Sequence, residues 1–237
     1  MITLYQPKPV WNVPSMSPFC VKLETYLRMT KLEYQSRAGN PFKGPKQKVP
    51  YIKIDGRVMG DSSLIIAYLK QTRGNPLDEK LTEQQQAQAL ALQRLIEEHL
   101  YFAAAWLRWN SPESLPYVKA VFLELLPPVM GRLIFPQIRK RFLRGLNSQG
   151  MGRHTRAEII QLACDDLAAI AVLLGAGPYV FGSEPSAIDA ALFGFLVQLF
   201  GVPWRSPVTD FARGQKHLLS YTERMRQRYW TELRPYI

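Results

Sequence analysis

A chain of 237 residues, 47% hydrophobic and 21% charged, can bury one large core or two modest ones, which excludes disorder as its bulk state. Two cysteines and three scattered histidines exclude a disulfide framework and a closed zinc site of recognisable spacing. The net charge of +11 is lopsided, with twelve Lys/Arg against four Asp/Glu in residues 1–75 and eighteen against fifteen in the remainder, so the first part favours an anionic ligand.

Ile2 to Tyr5 reads as a short strand, and Pro7, Pro9 and Pro14 then keep Gln6 to Met16 out of regular structure. Ser17-Pro18 opens a helix, with Ser as N-cap, Pro at the first helical position, and Phe19, Leu23, Tyr26 and Leu27 at helical spacing. Glu33 to Ser36 reads as a second strand, and strand-helix-strand order favours a right-handed crossover and a parallel pair. A loop over Arg37 to Lys48 leads into Val49 to Ile54, a turn at Asp55-Gly56 and a short strand near Arg57-Val58, which together make a hairpin. Asp61 caps a helix bearing Leu64, Ile65, Tyr68 and Leu69, and the breakers Gly74-Asn75-Pro76 end it.

From Thr82 onward the pattern is helical, with segments predicted at Glu83 to about Trp109, Leu115 to about Gly145, His154 to Leu174, Ser186 to Phe200, and Asp210 to Tyr229. Pro127-Pro128 and Pro136 are expected to break or kink the second of these. Residues 1–75 are therefore expected to form an α/β domain and residues 82–237 an all-α one. The apolar stretch from Ala190 to Trp204 is interrupted by Gln198 and falls short of the roughly 20 residues a membrane span needs, so a buried helix is expected there.

Five segments carry a resemblance. They are Ser15-Met16-Ser17-Pro18-Phe19-Cys20-Val21-Lys22-Leu23-Glu24, Lys48-Val49-Pro50-Tyr51, Gly60-Asp61-Ser62, Gln149-Gly150-Met151-Gly152-Arg153-His154, and Phe181 to Asp189. In order and spacing they resemble the glutathione transferase superfamily, most closely its failed-axon-connections and metaxin-like branch. The resemblance implies a thioredoxin-like N-terminal domain that binds glutathione, followed by a helical-bundle domain that shapes the second substrate's pocket.

On this resemblance Val49-Pro50 is expected to be cis, presenting the backbone of Val49 to the cysteinyl part of glutathione as an added strand edge. Asp61 and Ser62 match the acidic residue and serine that grip the γ-glutamyl end; a hydroxyl and free N–H groups at a helix start suit a carboxylate, and Asp61 suits the ammonium beside it. The plainer reading of Asp61 is an N-cap. Lys48 is placed for the ligand's other carboxylate, or is a solvated loop lysine. Ser17 is the expected catalytic residue, donating a hydrogen bond to the glutathione thiolate while the helix end adds partial positive charge; both effects lower the thiol pKa. The same serine read plainly is a helix cap.

The loop between Tyr5 and Ser17 is longer than in most glutathione transferases, which leaves Tyr5 as a second candidate hydroxyl and Trp11 as a cover for the site. Dithiol exchange is not expected, because cysteine is absent at position 17 and Cys20 reads as a buried small residue. Ser186 and Asp189 form an S-x-x-D capping box, a folding element. Tyr101, Phe102, Trp106 and Trp109 either line an apolar pocket or belong to the core, Tyr101 and Trp106 being the pocket candidates beside Tyr5 and Trp11. Arg139-Lys140-Arg141 with Arg144 reads as a solvated helix face.

The expected function is an enzyme that binds glutathione as thiolate and transfers it to a small, apolar electrophile; peroxidase or dehalogenase chemistry would use the same site. The alternative is a non-enzymatic protein of the same fold acting through protein contacts, as in metaxins. Glutathione is the co-substrate, no metal is expected, and neither nucleic acid nor membrane is an expected partner, since the basic residues are not interleaved with aromatics. The resemblance implies a homodimer. The start of the chain has no basic segment followed by a long apolar one, so a cytoplasmic location is expected.

Overall fold

A computed structural model of the chain describes residues 1–125 and 128–237. Strand β1 (Ile2–Gln6), helix α1 (Pro18–Met29), β2 (Tyr34–Ala38), β3 (Tyr51–Ile54), β4 (Arg57–Gly60) and α2 (Ser62–Arg73) follow one another, with a short 3-10 turn at Pro41–Lys43 inside the long loop. The sheet order is β2-β1-β3-β4, with β1 parallel to β2 and antiparallel to β3, as in a thioredoxin-like unit. Along β1, Ile2, Leu4 and Gln6 are buried against the α1 side, while Thr3 and Tyr5 face the other way.

The helical part comprises α3 (Glu83–Arg94), a π-helical segment (Leu95–Leu100), α4 (Tyr101–Asn110), α5 (Leu115–Leu125), α6 (Pro128–Gln149), α7 (Arg156–Leu174), α8 (Ala187–Phe200), α9 (Pro207–Gly214) and α10 (Lys216–Tyr229). Three expectations need correction. The first long helix is not uniform, because a π turn shifts its register midway. Pro136 lies inside α6, so of the expected break or kink it makes no break, and the break expected at Pro127-Pro128 falls at the edge of the residues that are not described. The last predicted helix is two, since the chain turns at Gln215, right after Gly214, and capping by Ser206 restarts the count before α9.

Helix α1 is more buried than its spacing implies. Ten of its residues, Lys22 and Glu24 among them, are out of solvent because the sheet covers one side and α8 the other. The close approach of α8 requires Gly194: a Cβ there would stand 2.8 Å from the Pro18 carbonyl oxygen and 2.9 Å from the Lys22 nitrogen. Helix α8 is held by the predicted capping box. The Asp189 carboxylate accepts from the N–H and hydroxyl of Ser186 at 2.8 and 2.9 Å, and from Val180 N–H and Tyr221 hydroxyl at 3.1 Å. A second, aromatic core of Trp109, Val118 and Phe135 sits between α4, α5 and α6.

Candidate active site

The site is built at the start of α1. Ser17 is its N-cap, with extended backbone and Pro18 in the first turn, and its hydroxyl oxygen accepts from Cys20 N–H at 3.4 Å. That bond is at the long limit of a hydrogen bond. The Ser17 hydroxyl lies close enough to the Cys20 thiol to favour its ionised form, against the larger effect of burial, but makes no donor hydrogen bond of ordinary geometry among the described residues, so its proton can turn to an acceptor above the helix end, where the dipole favours negative charge. Cys20 sits one turn below, fully buried, and burial drives its thiol up to about 12. It is a packing residue in the thiol form, the buried small residue expected from the sequence.

The segment before β3 runs through Val49-Pro50, whose peptide bond is cis. The paired register of β3 and β4 starts at Tyr51 opposite Gly60, and Val49 forms no backbone hydrogen bond among the described residues. Its amide groups, just ahead of β3, are therefore unpaired among the described residues. Lys48 beside it is exposed, with no carboxylate partner among the described residues.

Asp61 starts α2 with φ 81° and ψ 115°, a strained conformation for a residue with a Cβ, costing about 1–3 kcal/mol. One carboxylate oxygen caps the helix by accepting from Ser63 and Leu64 N–H at 3.0 and 3.2 Å. The side chain is exposed, so the N-cap reading holds while the second oxygen is left for another partner. Ser62 is buried at the first helical position.

Sequence reasoning missed what fixes this helix start. The Lys22 ammonium, buried in α1, donates to Ser63 Oγ at 2.7 Å and pairs with Glu97 of the π-helical segment at 2.5 Å, and Gln93 donates to the same Ser63 oxygen at 2.9 Å. Burial lowers the Lys22 pKa and Glu97 opposes that drop. The signal available in sequence was small: a lysine in the middle of an apolar helix.

The aromatic candidates separate. Tyr101 packs edge-on to Phe19, with ring centroids 4.9 Å apart, beside the start of α1. Trp11 lies in the long loop and packs edge-on to Trp204 at 4.9 Å. Trp106 is half-buried against the main core, and Trp109 is inside the second one. Tyr5 stacks on Tyr51 at 4.7 Å on the sheet face away from α1, so the structure does not bring it together with Ser17. An open groove of about 700 Å³ between Leu27, Tyr34 and Tyr229 lies at the other end of α1 and includes none of the candidate residues. Among the described residues, no cluster of His, Cys, Asp and Glu is arranged to hold a metal ion.

Comparison with known proteins bears on this arrangement. Residues 18–114 match the family model described as glutathione S-transferase N-terminal domain, and residues 163–225 match glutathione S-transferase, C-terminal domain. The chain is 35% identical over 239 aligned residues to an isoprene-epoxide glutathione S-transferase of Rhodococcus sp. (strain AD45), covering 97% of this chain and 99% of that protein. It is 27% identical to Failed axon connections of Drosophila melanogaster over 98% of this chain, spanning 60% of that protein's length. Among solved structures, a β-etherase from Sphingobium sp. strain SYK-6 superposes with a TM-score of 0.67 at 17% identity, over 100% of this chain and 96% of that one.

Proposed function

The chain belongs to the glutathione S-transferase family, and from that membership we propose that it binds glutathione as the thiolate and transfers it to a small, apolar electrophile of the epoxide class. The observation that carries this reading is the full-length similarity to a transferase named for an isoprene epoxide. In the proposed reaction the glutathione sulfur attacks an epoxide carbon, a C–S bond forms as a C–O bond breaks, and the released oxygen takes a proton from water. The Ser17 hydroxyl donates to the sulfur and favours the thiolate over the thiol.

The remaining assignments belong to the same proposal. Val49, ahead of the cis Pro50, offers its unpaired amide edge to the cysteinyl residue; Asp61 and Ser62 take the γ-glutamyl end; Lys48 takes the other carboxylate. Tyr101 and Trp11 border the apolar side, with Trp106 behind and Tyr5 outside it. Residues 1–75 and 82–237 act as two folding units of one cytoplasmic homodimer subunit, for which half-exposed Val58, Leu64 and Leu90 supply apolar surface. No described helix is long and apolar enough to cross a membrane.

The similarity to Failed axon connections favours a second reading, a scaffold that works through protein contacts. Titration calorimetry with glutathione, followed by turnover of a short alkene oxide, separates the two. Binding and conjugation support the enzyme; a chain that takes no glutathione at millimolar concentration is the scaffold.

A further inference from the structure

Two consecutive carbonyls precede Ser17, and both are held by side chains from the helical part. Met16 C=O accepts from Arg108 Nη1 at 2.6 Å, and Ser15 C=O accepts from Gln198 Nε2 at 2.9 Å. Arg108 Nη2 donates in turn to Gln198 Oε1 at 2.9 Å, so α4 and α8 grip the approach to α1 through one connected pair. Gln198 and Ser15 are buried. Both are polar residues in apolar helices, Arg108 in an aromatic one and Gln198 in a very apolar one, and they face a small cavity that Ser111, Glu113, Ser114 and Thr209 also line.

Among the described residues, the charge on Arg108 has no counter-ion in hydrogen-bonding reach. Its hydrogen-bond partners are a carbonyl and an amide, and the titratable group acting on it is Tyr101. Glu113 borders the same cavity of about 40 Å³; one of its oxygens pairs with Arg156 at 2.5 Å and the other is buried without a hydrogen-bond partner, so neither is bonded to Arg108. Burial brings Arg108 down to about 10, which still leaves it a cation at neutral pH. A mostly buried cation without an anion is costly, and an anion arriving nearby repays that cost. Its anchor, the Met16 carbonyl, immediately precedes Ser17.

We propose that Arg108 is a positioning residue for the thiolate, turning the Ser15 and Met16 carbonyls away from the sulfur and supplying, through its unpaired charge, a field that favours bound glutathione as the anion. The inference rests on the reading of Ser17 as the residue facing the sulfur. It adds a contribution from the helical part to glutathione contacts otherwise made by residues 1–75, so thiol activation depends on both parts of the chain.

The test is ultraviolet titration of the thiolate in the full chain saturated with glutathione, together with kcat and KM for an electrophile. Arg108→Gln should raise the thiol pKa by about 1, which cuts thiolate about tenfold below both pKa values, and kcat should fall in step while KM for glutathione changes little. Arg108→Lys, which keeps the charge, should recover most of the shift. A folded Arg108→Gln with wild-type thiol pKa overturns the proposal even where Ser17→Ala shifts it, and the reading of Ser17 then stands alone. Wild-type protein that binds no glutathione overturns both. If Arg108→Gln does not fold, Gln198→Glu places a carboxylate against the guanidinium: a raised thiol pKa supports the inference, an unchanged one removes it.

Discussion

Lys22 of α1 and Glu97 of the π-helical segment meet at 2.5 Å with both side chains almost wholly out of solvent. The pair joins the sheet-bearing part of the chain to the helical part directly under the first turn of α2. Removing one partner of a buried pair leaves an uncompensated charge, whereas replacing both by apolar groups is often close to neutral. Glu97→Leu is therefore expected to cost about 3–5 kcal/mol in urea unfolding, and Lys22→Met combined with Glu97→Leu to cost less than Glu97→Leu alone. Additive losses in the double variant would show that the ion pair is not the dominant interaction.

Much of this architecture is legible in the chain, and the limits have physical causes. Caps, prolines and turn glycines act locally, so Ser17-Pro18, Asp55-Gly56 and the Ser186–Asp189 box are readable without knowing the fold. The π turn at Leu95–Leu100 is a register shift set by packing, and no local residue announces it. The same holds for Lys22 and Arg108, whose roles depend on partners 75 and 92 residues away. Gly194 is unreadable for a similar reason: its value lies in the backbone of α1 passing against it.

Asp61 both caps α2 and presents an exposed carboxylate, and substitutions can divide the two roles. Asp61→Asn keeps a side-chain oxygen for Ser63 and Leu64 N–H, so stability should change by less than the ~1 kcal/mol typical of losing a cap. Loss of the charge facing the ligand's ammonium should nevertheless weaken glutathione binding by roughly 10- to 150-fold, as expected for a charged hydrogen bond worth roughly 1.5–3 kcal/mol. Unchanged affinity by calorimetry would leave Asp61 a cap and nothing more.

Val58, Leu64 and Leu90 each keep about half their surface exposed, at 52% in all three. In the proposed homodimer they are covered, and Leu64→Glu should split the assembly. Sedimentation should give twice the 27.2 kDa chain mass for wild type and the single-chain mass for the variant. A wild-type species of single-chain mass at micromolar concentration removes the dimer.

The C-terminal tail is tied to α10 through Glu223, which accepts from Arg226 at 2.7 to 3.0 Å, from Gln227 at 3.1 Å and from Tyr236 N–H at 3.2 Å. Burial pushes this carboxyl up, but the hydrogen bonds and the Arg226 charge outweigh it and hold it below its ordinary 4.5. A depressed carboxyl contributes stability that is present above the unfolded-state value and is lost as pH falls through the folded one. Wild type should therefore lose more stability than Glu223→Gln between about pH 5 and pH 3. Parallel pH profiles for the two proteins in urea would rule out this linkage.

Ser17 decides between catalysis and capping. Its hydroxyl accepts from Cys20 N–H at 3.4 Å, a weak bond, and Pro18 already preorganises the first turn, so Ser17→Ala should cost no more than about 0.5–1 kcal/mol of stability. If the hydroxyl proton serves the glutathione sulfur, the same substitution should raise the thiol pKa of bound glutathione by at least about 1 and lower turnover roughly 10- to 1,000-fold, in the range seen when one donor to a developing charge is removed. Affinity for glutathione should stay within about threefold, since the γ-glutamyl and backbone contacts remain. Tyr5→Phe serves as the comparison. Its ring stacks on Tyr51 on the sheet face away from α1, so its thiol pKa should match wild type. Should Tyr5→Phe shift the thiolate while Ser17→Ala does not, the roles of the two hydroxyls are reversed and the long loop must close over the sheet face when glutathione binds.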